Sequence, residues 1–201
     1  MMIGVGAVFF HFSKDLPDYT ELANYDPDTV TRLYSSDSKL LAEYATEKRV
    51  YVPLKYIPKL VSQAFIAAED KNFYSNNGID IYGIARAVKQ NFQNLIGTGH
   101  TMAGGSTITQ QVVKNFLLSN EKTLSRKVKE AILAYRITQV YSKDRILELY
   151  LNEIYLGKGS YGVAAAALNY FNKSLDELNI EEAAFLAAMP QAPARIDPIL
   201  H

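Results

Sequence analysis

The sequence predicts a mainly α domain behind a short β-rich stalk. Three observations carry that reading. From Pro58 almost to the end, apolar residues recur at helical spacing, as in Ile81, Ile84, Ala85, Val88, Phe92 and Leu95. Helix start signals accompany them: Asp80, Thr123 or Ser125, Ser142, and Asn179 with Glu182 three residues on, a capping box before Ala183 to Met189. Ahead of Pro58, the runs Val30 to Tyr34 and Leu40 to Tyr44 flank Ser35-Ser36-Asp37-Ser38-Lys39, a hairpin pattern, and Arg49 to Val52 reads as a third strand.

Residues 1–12 are apolar apart from His11. They are too few to cross a bilayer, which takes about 20 residues. No basic residue leads the run and no small-residue cleavage site follows, so a signal peptide fits poorly. The run is expected to be the outer end of a membrane anchor that begins outside this chain; a buried N-terminal segment is the plainer alternative. Residues 13–54 are expected to be linker and β-rich stalk, with 13–29 the linker because Pro17, Pro27 and several Asp interrupt it.

Residues 55–201 form the expected helical domain. Pro58 suits a first helical position, and that helix should run to about Ala68. A Gly-rich loop over 97–105 leads into a helix over 106–118. A long helix then runs to about Tyr141 with Val128, Ala131, Ile132 and Tyr135 as its apolar face, followed by Lys143 to Asn152. Pro190 ends the last helix.

At 201 residues and 48% hydrophobic content, the chain can bury one core with room for a small subdomain. Its 21 basic and 21 acidic residues cancel, so nothing in the net charge points to nucleic acid. It has no Cys, which excludes disulfides, thiolate metal sites and Cys nucleophiles. His11, His100 and His201 lack ligand spacing, which disfavours a His metal site or base.

The most informative stretch is Gly104-Gly105-Ser106-Thr107-Ile108-Thr109-Gln110-Gln111. Glycines permit close backbone approach to a ligand, and Ser106 or Thr107 can cap the helix that follows. Thr107, Gln110, Gln111 and Lys114 then share one polar face, while Ile108, Val112 and Phe116 share an apolar one. A polar stripe ending in a cation suits an anion or a sugar. Arg126 and Lys127 lie four and three residues before Glu130 on one helix face, and Lys114 and Lys122 flank the connecting loop. Four cations around two helix ends suit a diphosphate. Glu69 closes the apolar run Ala64-Phe65-Ile66-Ala67-Ala68, so part of its surface should be desolvated, which suits a proton acceptor. One acid flanked by apolar residues and another among cations match the divided roles of sugar-transfer chemistry. Residues 99–106 imitate a phosphate-binding P-loop, but Gly105 stands where Lys is needed. The S-x-x-K matches at Ser36 and Ser119 lack a K-T-G partner.

These residues, in this order, resemble the peptidoglycan glycosyltransferases (family 51 transglycosylases), found alone or as the N-terminal domain of class A penicillin-binding proteins. Glu69-Asp70-Lys71-Asn72-Phe73-Tyr74 with Gly78-Ile79-Asp80 is similar to the first motif, and Gly104 to Gln111 with Lys114-Asn115 to the second. Arg126 to Glu130 is similar to the third, Lys143 to Asn152 with Ile154-Tyr155-Leu156-Gly157 to the fourth, and Glu182 to Ala187 with Pro190-Gln191-Ala192-Pro193 to the last. The resemblance covers roughly 50–198. It departs at Asn76, where His is usual, at Ala164, where Glu is frequent, and around Gly97 to Thr101, where the chain is slightly longer.

The resemblance implies a lysozyme-like helical fold with a small membrane-facing lobe over 80–103. It implies polymerisation of lipid II: the acceptor 4-hydroxyl attacks the donor's anomeric carbon with inversion, and undecaprenyl diphosphate leaves. Glu69 would be the base. Lys114, Lys122, Arg126 and Lys127 would neutralise the leaving diphosphate, and Glu130 would orient those cations or the acceptor, through a divalent ion (Mg or Mn) if one takes part; no tightly bound cofactor is expected. Ser106, Thr107, Gln111 and Asn115 would hydrogen-bond sugar and phosphate oxygens. Asp70, Phe73, Gly104 and Gly105 would shape the motifs, and Glu148 and Asn152, at i and i+4, would brace the cleft rather than react. The expected partners are lipid II, the growing glycan, the membrane and the cell-wall synthesis machinery, at the outer face of the bacterial cytoplasmic membrane. The stalk and the 190–193 ending resemble the penicillin-binding type, which places a transpeptidase domain beyond His201. Two competing readings are a glycan-cleaving lysozyme-like or lytic enzyme using Glu69 as acid, which has no need of the cation cluster, and a non-catalytic wall scaffold, which has no need of Glu69 and Glu130.

Overall fold

The computed structural model describes residues 12, 16–24, 31–34, 40–44, 48–83, 85–86, 105–118 and 123–191. The expected anchor apart from residue 12, the hairpin turn 35–39, most of the 80–103 lobe, Gly104, Lys122 and residues 192–201 lie outside that set. The described chain is mainly helical: α1 (Lys59–Glu69), α2 (Ile108–Leu117), α3 (Leu124–Val140), α4 (Lys143–Glu153), α5 (Val163–Phe171) and α6 (Ile180–Ala188), with short 3-10 turns between some of them. It forms two compact units, one from Met1–Leu22 with Glu69–Ile146 and one from Ala23–Ala68 with Leu147–His201.

In the first unit, α2 and α3 pack together. Thr107 starts α2 through a capping box: its hydroxyl accepts from Gln110 N (3.1 Å), and Gln110 Oε1 accepts from Thr107 N (3.0 Å). Ile108, Val112 and Val113 are buried, as the helical spacing predicts for two of them. Thr123 caps α3 by accepting from Arg126 N, and Ser142 caps α4 by accepting from Arg145 N. The buried face of α3 differs from the expected one. Glu130, Leu133, Ala134 and Ile137 line it, together with Ile132, whereas Tyr135 is 45% exposed. A carboxylate stands inside the buried stripe, which displaced the apolar reading by part of a turn.

The 13–29 segment is no free linker where it is described. Leu22 is buried, Tyr141 Oη donates to Tyr19 O (3.0 Å), and Arg145 Nη2 donates to Leu22 O (3.2 Å). A 3-10 turn over Thr20–Asn24 follows Asp18, whose carboxylate accepts from Thr20 N.

In the second unit, β1 (Thr31–Tyr34) and β2 (Leu40–Tyr44) form the expected antiparallel hairpin, with an irregularity at Leu33/Tyr34. The expected third strand does not join it. Instead β3 (Lys48–Arg49) pairs in parallel with β4 (Ser160–Tyr161), more than a hundred residues downstream. Arg49 forms an ion pair with Glu153 and lies 4.7 Å from the centre of the Tyr161 ring. Phe65 of α1 meets Tyr150 of α4 edge-on, centroids 6.1 Å apart, and both are buried. Burying a side chain such as Phe65 contributes about 1.5–3 kcal/mol. Tyr170, Phe171 and Phe185 cluster between α5 and α6, and Asn179 caps α6 through the expected box with Glu182.

Candidate active site

Glu69 is the last residue of α1, and of the apolar run before it only Phe65 is buried, Ala67 and Ala68 being exposed. One carboxylate oxygen, Oε2, accepts from Gln111 Nε2 of α2 at 2.6 Å. The other, Oε1, is buried with no hydrogen-bond partner among the described residues. An orphaned buried acceptor is costly, and a hydroxyl brought to it would relieve that cost. Glu69 is therefore held by one oxygen and able to take a proton on the other.

The loop after Glu69 is fixed by a buried network. Asp70 is 5% exposed and accepts from Asn76 Nδ2 on both oxygens (2.9 and 3.0 Å) and from Ile108 N (3.2 Å). Asn76 Oδ1 accepts from Gly78 N (2.9 Å) and from Lys143 Nζ (3.0 Å). Burial pushes the Asp70 carboxyl up, against the opposing pull of Asn76, Ile108 N and Lys143. Burial likewise pushes Lys143 down, against the pull of Asp70. Phe73 is fully buried beneath Lys143 Nζ, 4.7 Å from its ring centre. Gly78 has φ +86°, and a Cβ there would come within 2.3 Å of Ala134 O, so only glycine allows this loop to press on α3.

Thr107 is not available to a ligand. It is 1% exposed, its hydroxyl accepts from Gln110 N, and the same hydroxyl donates to Gly78 O (2.7 Å). Gln110 is buried in the same cap. The polar stripe predicted on α2 thus narrows to Gln111 and the exposed Lys114, with Asn115 exposed beside it.

On α3, Glu130 is 1% exposed and accepts from Arg126 Nη1 (2.9 Å) and from Lys127 Nζ. Lys127 also donates to Ser106 Oγ (2.7 Å), which ties the Gly-rich loop to α3. Two cations against one carboxylate leave a net positive surface, since Lys127 is half exposed. Both Glu130 oxygens face cationic nitrogens, and among the described residues no three His, Asp or Glu side chains gather. This donor set does not suit a divalent ion.

The predicted residues Glu69, Asp70, Phe73, Ser106, Thr107, Gln111, Lys114, Asn115, Arg126, Lys127 and Glu130 all fall in the first unit; Gly105 is described there as well. Glu148 and Asn152 do different work in the second unit. Glu148 accepts from Tyr51 Oη (2.8 Å) and Leu54 N (2.7 Å), and Asn152 accepts from Val52 N (2.8 Å) and donates to Val52 O (2.9 Å). They brace the 51–54 segment. Lys143 was read from sequence only as the start of a motif. Its signal was available: a cation in the first turn of a helix opposes the macrodipole and calls for a specific partner.

A model of the transglycosylase family, described as Transglycosylase, matches residues 37–201. The chain is 55% identical to a penicillin-binding protein 1A of Rickettsia conorii, covering 98% of this chain and 25% of that protein. It is 45% identical to one of Neisseria flavescens, covering 100% and 25%. A crystal structure of penicillin-binding protein 1A from Haemophilus influenzae is similar over 88% of this chain and 16% of that one, at 25% identity and a TM-score of 0.43. The chain spans about a quarter of the length of the curated relatives it matches. The chain belongs to the transglycosylase family.

Proposed function

We propose that this transglycosylase domain polymerises lipid II into β-1,4 glycan strands for the bacterial cell wall. The observation that carries the reading is Glu69: one oxygen fixed by Gln111, the other buried and without a partner among the described residues. In the proposed reaction the 4-hydroxyl of the acceptor sugar approaches Oε1 and loses its proton to it. The hydroxyl oxygen bonds to the anomeric carbon of the growing chain, and the bond from that carbon to the diphosphate oxygen breaks on the opposite face. The configuration inverts from α to β, and undecaprenyl diphosphate departs with the electron pair.

Charge builds on the departing diphosphate, so fixed cations contribute most there. Lys114, Arg126 and Lys127 take that role, joined by Lys122. Glu130 orients Arg126 and Lys127 rather than reacting, and Ser106 is positioned by Lys127 to meet a phosphate or sugar oxygen, with the exposed Asn115 of α2 as a further hydrogen-bonding group. Among the described residues no helix is long and apolar enough to cross a membrane. The proposed site of action is the outer face of the cytoplasmic membrane, where lipid II and the growing strand meet the synthesis machinery.

The test is incubation with labelled lipid II, native protein against Glu69→Gln. A glutamine keeps the contact with Gln111 but cannot take the proton. Native protein should make polymer, and the variant should be slower by about 10²–10⁴-fold. Equal polymer from both would remove Glu69 as the base.

A further inference from the structure

Next to the first-motif loop the structure holds a pocket of about 520 Å³, within the roughly 300–1,000 Å³ of small-molecule sites. None of the residues given a role in the proposed reaction lines it. Its walls come from Asn72, Ser75 and Asn77 of the loop, from Asp80 and Tyr82, and from Tyr135 of α3. Tyr82 is 85% exposed and Tyr135 45%. The side-chain amides of Asn72 and Asn77 have no hydrogen-bond partner among the described residues, and both residues are exposed. Asp80 keeps one oxygen on Gly83 N (2.9 Å), which fixes the carboxylate at the pocket wall.

From this combination we infer a binding pocket for a neutral saccharide, separate from the site around Glu69. Tyrosine rings offer flat apolar faces against which sugar C–H groups pack, with a polar tip left to hydrogen-bond. Free amides and a carboxylate pair with sugar hydroxyls and N-acetyl groups, which both donate and accept. Among the described residues no Lys or Arg lines the pocket, and Arg86, which pairs with Asp80 Oδ2 at 3.9 Å, offsets the charge of that carboxylate, so the lining offers a phosphate no cation of its own. The pocket is therefore close to neutral, unlike the cationic surface of Lys114, Arg126 and Lys127. The occupant's source rests on the proposed polymerisation: a stretch of growing glycan, lacking any diphosphate, is the neutral sugar at hand. Such a pocket would retain the strand between additions.

The experiment is an NMR titration of the full chain with the soluble tetrasaccharide of N-acetylglucosamine. The side-chain amide signals of Asn72 and Asn77 should shift saturably. Binding should be about tenfold weaker in Tyr82→Ala and in Asn77→Ala, each at an exposed position where the fold loses little, and unchanged in Glu69→Gln. No saturable shift at those amides, equal binding by a Tyr82→Ala/Asn77→Ala double variant, or an equal response to inorganic diphosphate would each overturn the assignment. Saccharide binding without polymer from lipid II would remove the proposed reaction and leave the pocket. Polymer without saccharide shifts would remove the pocket alone.

Discussion

Asp70 and Glu69 are adjacent carboxylates with opposite circumstances. Glu69 keeps an oxygen open, whereas Asp70 spends both on Asn76 and Ile108 N. The sequence distinguished their roles because only Glu69 ends the apolar run. It could not show how deep Asp70 lies, since burial there depends on Ile108 and Lys143 coming to it from far along the chain. That burial has a pH signature. The folded carboxyl is raised above its ordinary 3.8, chiefly by desolvation. The folded protein thus keeps this proton where the unfolded chain has lost it, and the associated stability is full below 3.8 and lost as pH rises through the folded value. Asp70→Asn removes the titration. Urea unfolding of both proteins from about pH 7 down to about pH 4 should show the native protein gaining on the variant as pH falls. A difference that stays flat, or moves toward the variant, would mean that hydrogen bonding and Lys143 outweigh desolvation at Asp70.

Helix caps were the most legible features at the scale of the element. Thr123, Ser142 and Asn179 cap where the pattern places them, because capping depends on residues three apart. The buried face of α3 was less legible, since Glu130 lies in the buried stripe and is tolerated there only through Arg126 and Lys127. The pairing of β3 with β4 was not legible at all: two residues carry no periodicity, and their partners come from a distant segment. Thr107 tests the revised reading of α2. A ten-residue helix is marginal alone, and this one begins on a single hydroxyl that both accepts from Gln110 N and donates to Gly78 O. Thr107→Ala should cost about 1–2 kcal/mol in thermal or urea unfolding. Thr107→Ser should restore both the stability and the polymerisation rate, as expected of a cap. A serine variant with native stability but lost activity would return Thr107 to the ligand.

Over the whole molecule, each compact unit draws on two separated stretches of chain. No local pattern announces that arrangement, which is why 13–29 looked like a linker although Leu22 is buried and Tyr19 and Leu22 are held by Tyr141 and Arg145. The second unit depends on contacts across about a hundred residues of sequence, and the fourth motif supplies them. Glu148 and Asn152 lie one helical turn apart on α4 and grip the same segment, Glu148 through Tyr51 and Leu54, Asn152 through both polar groups of Val52. Removing either side chain strands backbone groups in a partly buried setting, which costs about 1–3 kcal/mol. The two costs should not add. Once Glu148→Ala releases 51–54, the Val52 groups can reach water, so Asn152→Ala should then cost less than it does in the native protein. A double-mutant cycle by urea unfolding should return a coupling of about 0.5–3 kcal/mol, with polymerisation by Glu148→Ala reduced no further than its loss of folded protein explains. Additive costs would show that the two side chains hold 51–54 independently. A fall in activity with stability unchanged would make Glu148 a participant in the reaction rather than a brace.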